Sequence, residues 1–187
     1  MKEILELYKL KQSVFNFDDL KSIFGIINNQ VLKNKLQFLK SKNIIESVAK
    51  GIYILKDKEI NKFELVNKIY SPSYISFFSA LYHYSIIFQY DTDVYLAYMK
   101  SDSRKILDFE IKLKTLKNEI LLNPSGIINN GLYSIASKER AFLDTLYLYS
   151  DIHLDNISGL DYDKVISLLD VYNNKLLEKK AKSYFLK

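Results

Sequence analysis

The sequence predicts an α+β protein in two parts, an N-terminal winged helix-turn-helix followed by a C-terminal mixed domain with a small sheet and several helices. Three observations predict it. Between Asn29 and Lys42, Leu32, Leu36 and Leu39 recur at i, i+4 and i+7 with Val31 and Phe38 beside them, the period of a helix with one apolar stripe. Directly after Asn43 the pattern changes to short β-branched runs, Ile44 to Ala49 and Ile52 to Leu55, separated by Lys50-Gly51; this reads as a hairpin with a basic tip. Charge is also unevenly spread: residues 1–56 hold ten lysines against five acidic residues, whereas residues 57–187 hold seventeen basic and seventeen acidic residues. The whole excess of +5 therefore falls on the half that contains the helix and hairpin.

Taken in order, Ile4, Leu5 and Tyr8 mark a first helix. Asn16 is placed to cap a second, whose first turn carries Asp18 and Asp19 where carboxylates favour the positive end of the helix dipole. Leu20, Ile23 and Phe24 give that helix its buried side, and Gly25 stops it. Ile26 and Ile27 turn the chain into Asn28-Asn29, either of which can cap the helix that follows. A domain of residues 1–56 is expected, then a charged link at residues 57–62, then a second domain of residues 63–187. In that domain Phe63, Val66, Ile69 and Tyr70 form a helical stripe ending before Pro72. Tyr74 to Tyr84, with Ser73 as its cap, reads as a helix apolar on nearly every side, expected to be the spine. Strands are expected at Val94 to Met99, Asp108 to Leu113, Glu119 to Leu122 and Leu132 to Ile135. The second alternates strictly, with Phe109, Ile111 and Leu113 on one face and Asp108, Glu110 and Lys112 on the other. Ser137 caps a helix bearing Ala141, Phe142, Leu143, Leu146 and Tyr147, and two further helices start near Tyr162 and Lys175.

Composition narrows the classes. The chain has 187 residues, 48% of them hydrophobic, enough for packed cores, and the absence of cysteine removes disulfides and thiolate metal sites. Charges through Met1 to Lys11 read against a signal peptide, and the longest apolar stretch, eleven residues from Tyr74 to Tyr84, falls short of the ~20 a membrane span needs. A cytoplasmic protein without a membrane partner is expected. Lysine outnumbers arginine 25 to 2, so Arg104 and Arg140 stand out as positions where a planar, five-donor fork meets a geometric need.

The expected site lies on the face of the Asn29 to Lys42 helix opposite its leucines. Gln30, Lys33, Asn34 and Gln37 share that face with no carboxylate among them, and amides and ammonium groups are the side chains that bond base edges and phosphates in a major groove. Asn29 and Lys50 are expected near phosphates. The partner implied is double-stranded DNA, with no cofactor, metal or catalytic residue. Two enzymatic patterns compete. Asp93 with Glu110-x-Lys112 matches the carboxylate–Glu-x-Lys arrangement of one metal-dependent nuclease class, but any exposed amphipathic strand rich in Glu and Lys has the same text. Asp91-Thr92-Asp93 resembles a nucleotidyltransferase metal pair but lacks a preceding Gly-Ser phosphate loop. His83 is expected as a satisfied core residue and His153 in a loop without a nucleophile. The fifteen Tyr and eleven Phe fall mostly at core spacing.

Three ordered stretches are also similar to those of a known family: Lys50-Gly51-Ile52-Tyr53; Pro72-Ser73-Tyr74-Ile75-Ser76 with Ser79-Ala80-Leu81; and Ala136-Ser137-Lys138-Glu139-Arg140-Ala141 with Leu143-Asp144. Together, over roughly residues 12–150, they resemble the AbiEi-type antitoxins, the antitoxin and transcriptional-regulator half of bacterial abortive-infection, type IV toxin-antitoxin systems. Ser85 stands where members often have glycine, and Arg140 replaces the commoner lysine. The resemblance implies a winged helix that represses its own operon. It also implies a C-terminal domain that neutralises a cognate nucleotidyltransferase-like toxin, by acting on the toxin or on the toxin's target. A plain winged-helix repressor is the alternative the same residues leave open.

Overall fold

The structure, a computed structural model, describes residues 2–89 and 92–186. It is an α+β protein with one three-stranded and one six-stranded sheet, and it divides into two compact units, Met1–Ile69 and Tyr70–Lys187.

The first unit runs α1 (Lys2–Lys9), β1 (Val14–Asn16), α2 (Phe17–Ile23), α3 (Asn29–Ser41), β2 (Ile45–Ala49), β3 (Ile52–Leu55) and α4 (Lys62–Ile69). Asn16 caps α2 in a reciprocal box with Asp19: the Asn16 side chain accepts from the Asp19 amide at 2.7 Å, and the Asp19 carboxylate accepts from the Asn16 amide at 2.9 Å. Helix α2 ends in a Schellman turn at Gly25, whose φ of +62° suits glycine, with Gly25 N–H bonded to Ser22 O and Ile26 N–H to Lys21 O. Asn28 then caps α3, its side chain accepting from Gln30 and Val31 N–H at 2.8 and 3.3 Å. Leu32, Leu36 and Leu39 enter the core against Leu7, Phe15, Leu20, Phe24, Ile45 and Leu55. The hairpin β2–β3 closes through Lys50-Gly51, with Gly51 at φ +75°.

Four features of this unit differ from the sequence expectation. In α1 it is Leu7 that is fully buried, with Ile4 against the core, while Leu5 is exposed. Val31 and Phe38 lie beside the leucine stripe in sequence yet sit on the solvent side of α3. The strand β1 was not expected: at three residues it is too short for alternation to register, and it pairs antiparallel with β3 to give the sheet order β1-β3-β2. Finally, the division falls after Ile69 rather than at residues 57–62. The reason is Glu64, fully buried on α4, whose carboxylate accepts from Ser13 N–H and Oγ at 2.8 Å each and from Val14 N–H at 3.3 Å. A buried carboxylate stripped of those donors would be costly, so α4 is held to the start of β1.

The second unit runs β4 (Tyr74–Ile75), α5 (Phe77–His83), β5 (Val94–Tyr98), β6 (Asp102–Ile106), β7 (Phe109–Thr115), α6 (Asn118–Leu121), β8 (Ile127–Asn129), β9 (Ser134–Ala136), α7 (Lys138–Leu148), α8 (Tyr162–Leu168) and α9 (Lys175–Tyr184). Two 3-10 turns lie at Ile157–Gly159 and Leu169–Val171. The sheet order is β6-β7-β5-β4-β9-β8, with β5/β7 and β4/β9 parallel and the remaining neighbours antiparallel. Helix α7 packs against α5, α8 and α9. Every residue from Glu139 to Leu146 is buried, so α7 is the spine of this unit.

The Tyr74 to Tyr84 run, expected as that spine, is instead a strand and a helix. Ile75 pairs with Leu96 on one side and Ile135 on the other, and Ser76 is extended (φ −151°, ψ −164°) before α5 begins. An apolar run carries no period that separates a buried strand from a buried helix. Ser73 is not a helix cap; its hydroxyl donates to Tyr70 O. Glu119 to Leu122, expected as a strand, falls largely in the short helix α6, with Ile120 and Leu121 buried. Strands β6 and β8 were not expected, and Leu132 to Ile135 shifts to Ser134–Ala136. His83, expected in the core, is exposed, its ring 4.9 Å from that of Tyr84. Asp91 lies outside the described residues. Among the described residues no helix is long and apolar enough to cross a membrane.

Candidate functional site

Six residues were expected to form the site, and all six are exposed: Asn29, Gln30, Lys33, Asn34, Gln37 and Lys50. The first five lie on α3 and the sixth at the tip of the β2–β3 hairpin. Capping by Asn28 uses the Gln30 and Val31 amides and leaves the Asn29 N–H at the helix start, where the positive dipole end also lies. Gln30 Nε2 donates to Asn34 Oδ1 at 3.0 Å, one turn on, which ties the two amides into a single unit on the polar face. Lys33, Gln37 and Lys50 hold no ion pair or side-chain hydrogen bond among the described residues.

The other lysines of this helix and its end are arranged differently. Lys35 Nζ lies 4.0 Å from the centroid of the Phe24 ring, Lys40 Nζ 5.3 Å from that of Tyr53, and Lys42 Nζ 5.8 Å from that of Phe38. Lys33 is thus the α3 lysine most free to reach a partner. On the hairpin, Glu46 is matched by Lys56 at 2.7 Å, so the one carboxylate of the β2 strand presents little net charge. Drawing the boundary at Ile69 leaves the charge argument intact, because residues 1–69 hold thirteen lysines and eight acidic residues and residues 70–187 hold fourteen of each sign.

Sequence reasoning missed the exposed apolar residues beside this face. Ile27 is 89% exposed, Val31 52% and Phe38 56%. A signal was present for two of them: Val31 and Phe38 are displaced from the i, i+4, i+7 leucine stripe, whereas Ile27 lies in the turn before the Asn28 cap.

The other clusters are charge-balanced. Lys112 Nζ bonds Glu110 Oε2 at 2.5 Å and lies 3.5 Å from Asp93 Oδ2, so an ammonium occupies the place between the two carboxylates where the nuclease pattern would put a cation. That hydrogen bond holds the Glu110 carboxyl below its usual range. Among the described residues no group of three or more His, Asp or Glu side chains is gathered to hold a metal ion. A cavity of about 550 Å³ in the second unit is lined by Tyr84, Ser137, Lys138, Glu139, Lys164 and Leu168. Its lysines face carboxylates, Lys138 at 3.9 Å from Glu139 and Lys164 at 3.5 Å from Asp161.

Arg140 and Asp144 of α7 form a sealed structural network. Arg140 donates from Nε to Asp144 Oδ1 (3.2 Å), from Nη1 to Ser125 O (2.7 Å), and from Nη2 to Ile120 O (2.7 Å) and Tyr74 Oη (3.1 Å). Asp144 also accepts from Tyr172 Oη (2.6 Å), Ser76 Oγ (2.7 Å) and Tyr74 Oη (3.1 Å). The residue types are those of an active site, but Arg140 and Asp144 are completely buried and the described residues leave none of their atoms unsatisfied. Burial, and then the Asp144 carboxylate, push the Tyr74 and Tyr172 hydroxyls well above the usual tyrosine range. This is the geometric need behind an arginine in a lysine-rich chain, since an ammonium cannot span two carbonyls, a carboxylate and a hydroxyl. Arg104, by contrast, is exposed and pairs with Asp102 at 2.8 Å. Compared with known proteins, the chain matches no family model and no curated sequence.

Proposed function

We propose that the first unit is a winged helix-turn-helix that binds duplex DNA, with α3 in the major groove and the β2–β3 hairpin as the wing beside it. The observation that carries this reading is the exposed face of Gln30, Lys33, Asn34 and Gln37, free of carboxylates, on the unit that holds all the excess positive charge. The order of elements from α1 to β3 and the sheet order β1-β3-β2 support it, because both suit a short sheet that carries a hairpin next to a second helix. Lys33 and the helix start would meet phosphates and base edges, and Lys50 would meet phosphate from the wing. Removing Lys50 should weaken binding evenly across sequences and lower the salt slope by ~1.

The wider role is a cytoplasmic transcriptional repressor of its own operon whose second unit neutralises a cognate nucleotidyltransferase-like toxin. This rests on the resemblance to the AbiEi-type antitoxins. The structure supplies a compatible setting, since the Tyr74 to Ser76 and Arg140 to Asp144 parts of the resembling stretches meet in one buried network. In such a protein the toxin-directed part would work without the DNA-reading face. The test is to express the adjacent open reading frame alone and with the full chain. Growth should fall with the neighbour and recover with either the native chain or the Gln30→Ala/Lys33→Ala variant. A harmless neighbour, or recovery lost with the variant, contradicts the antitoxin role and leaves a plain repressor.

A further inference from the structure

We infer that α3 is built to read adenine–thymine pairs, with Val31 and Phe38 contacting thymine methyl groups and the Gln30–Asn34 pair bonding adenine. This rests on the DNA-binding reading above and adds the class of sequence it would select.

Two observations carry it. Val31 and Phe38 lie two helical turns apart and are more than half exposed beside the polar face, with Ile27 almost wholly exposed at the helix entry. Neither side chain belongs to the core, which takes Leu32, Leu36 and Leu39 from this helix while Val31 and Phe38 flank that stripe. Apolar groups in that position suit an occupant that offers apolar contact within a polar, anionic surface. In the major groove the thymine methyl is the group that does so. Lys42 above the Phe38 ring, with Asn34 one turn from both Val31 and Phe38, would place the apolar pair at the edge of the polar face, within reach of a phosphate-bearing partner rather than an apolar protein face.

The second observation is the hydrogen bond from Gln30 Nε2 to Asn34 Oδ1 at 3.0 Å. It leaves the Gln30 Oε1 acceptor with the second Gln30 Nε2 proton beside it, and the Asn34 Nδ2 donor one turn on, without partners among the described residues. One acceptor beside one donor is the complement of adenine, whose major-groove edge offers the N6 donor and the N7 acceptor. Guanine offers two acceptors there, so the unmet Gln30 acceptor would face another acceptor. The internal bond also fixes both side chains before binding, which reduces the ordering cost of contact.

The experiment selects the best-bound duplexes from a random pool with the full chain. The enriched site is then resynthesised with deoxyuridine for thymidine, which removes only the methyl groups. The expected result is an enriched core of A·T pairs, bound by the native chain about fourfold more weakly for each contacted methyl removed. The Val31→Ala/Phe38→Ala variant, altered only at exposed positions, should bind the thymidine duplex more weakly and be indifferent to deoxyuridine. An enriched site that the native chain binds equally well with deoxyuridine overturns the methyl contact while the DNA-binding reading stands. Self-association of the free chain that the double variant abolishes would make the patch a protein interface and overturn the inference. Failure to enrich any duplex at physiological salt overturns the DNA-binding reading itself.

Discussion

Helices α3 and α7 use polar residues in opposite ways. Helix α3 buries leucine alone and leaves Gln30, Lys33, Asn34 and Gln37 in solvent, whereas α7 buries Glu139, Arg140, Asp144 and Thr145 and satisfies them internally. A buried polar group with every bond made is committed to the fold, because losing one partner exposes the full desolvation cost of the other. An exposed group with no partner contributes little to stability and stays available for a ligand. Function is therefore sought on α3 and stability on α7, although α7 has the residues more usual in catalysis.

The sharpest way to break this contrast is Arg140→Met. It leaves the Asp144 carboxyl buried without its cation, and should cost about 3–5 kcal/mol, read as a lower denaturant midpoint. Arg140→Lys should recover little of that, since a single ammonium cannot serve Ser125 O, Ile120 O, Tyr74 and Asp144 together. A variant as stable as the native chain would mean that the network is not what holds α7.

Alkaline pH probes the same network more gently. Tyr74 and Tyr172 have folded-state pKa values raised above the ordinary 10.0, so their contribution is complete below about pH 10 and is lost as pH rises beyond it, when the unfolded chain releases protons that the folded chain keeps. Denaturant melts from pH 8 to 11 should show stability falling above 10, with a shallower fall in Tyr172→Phe.

A smaller effect is expected at Ser85, which ends α5 in a Schellman turn with φ +57°, Ser85 N–H bonding Tyr82 O and Ile86 N–H bonding Leu81 O. That left-handed conformation costs a side chain about 1 kcal/mol, so Ser85→Gly should raise stability by roughly that amount. A loss of stability would show that the serine side chain is needed there.

The contrast also explains what could be read from the chain. The pair α2 and α3 and the hairpin were legible because their caps, Asn16 and Asn28, their leucine period and Lys50-Gly51 are local signals that agree with one another. Four of the expected site residues, Gln30, Lys33, Asn34 and Gln37, were legible as one helical face, although Val31 and Phe38 were read as part of the apolar stripe. In the second unit the signals were non-local. The strand β4 is defined by partners at Leu96 and Ile135, β6 is an edge strand of mostly exposed Asp102 to Ile106, and the role of Arg140 depends on Tyr74 and Tyr172 far away in sequence.

The most direct measurement is duplex-DNA affinity and stability of the Gln30→Ala/Lys33→Ala chain, taken side by side at physiological salt. With both positions exposed, the melt should move by no more than about 0.5 kcal/mol. Binding to a selected duplex should weaken at least tenfold, given about 1–3 kcal/mol for a good base contact. Unchanged affinity in a folded variant would contradict the assignment of α3 as the DNA-reading helix.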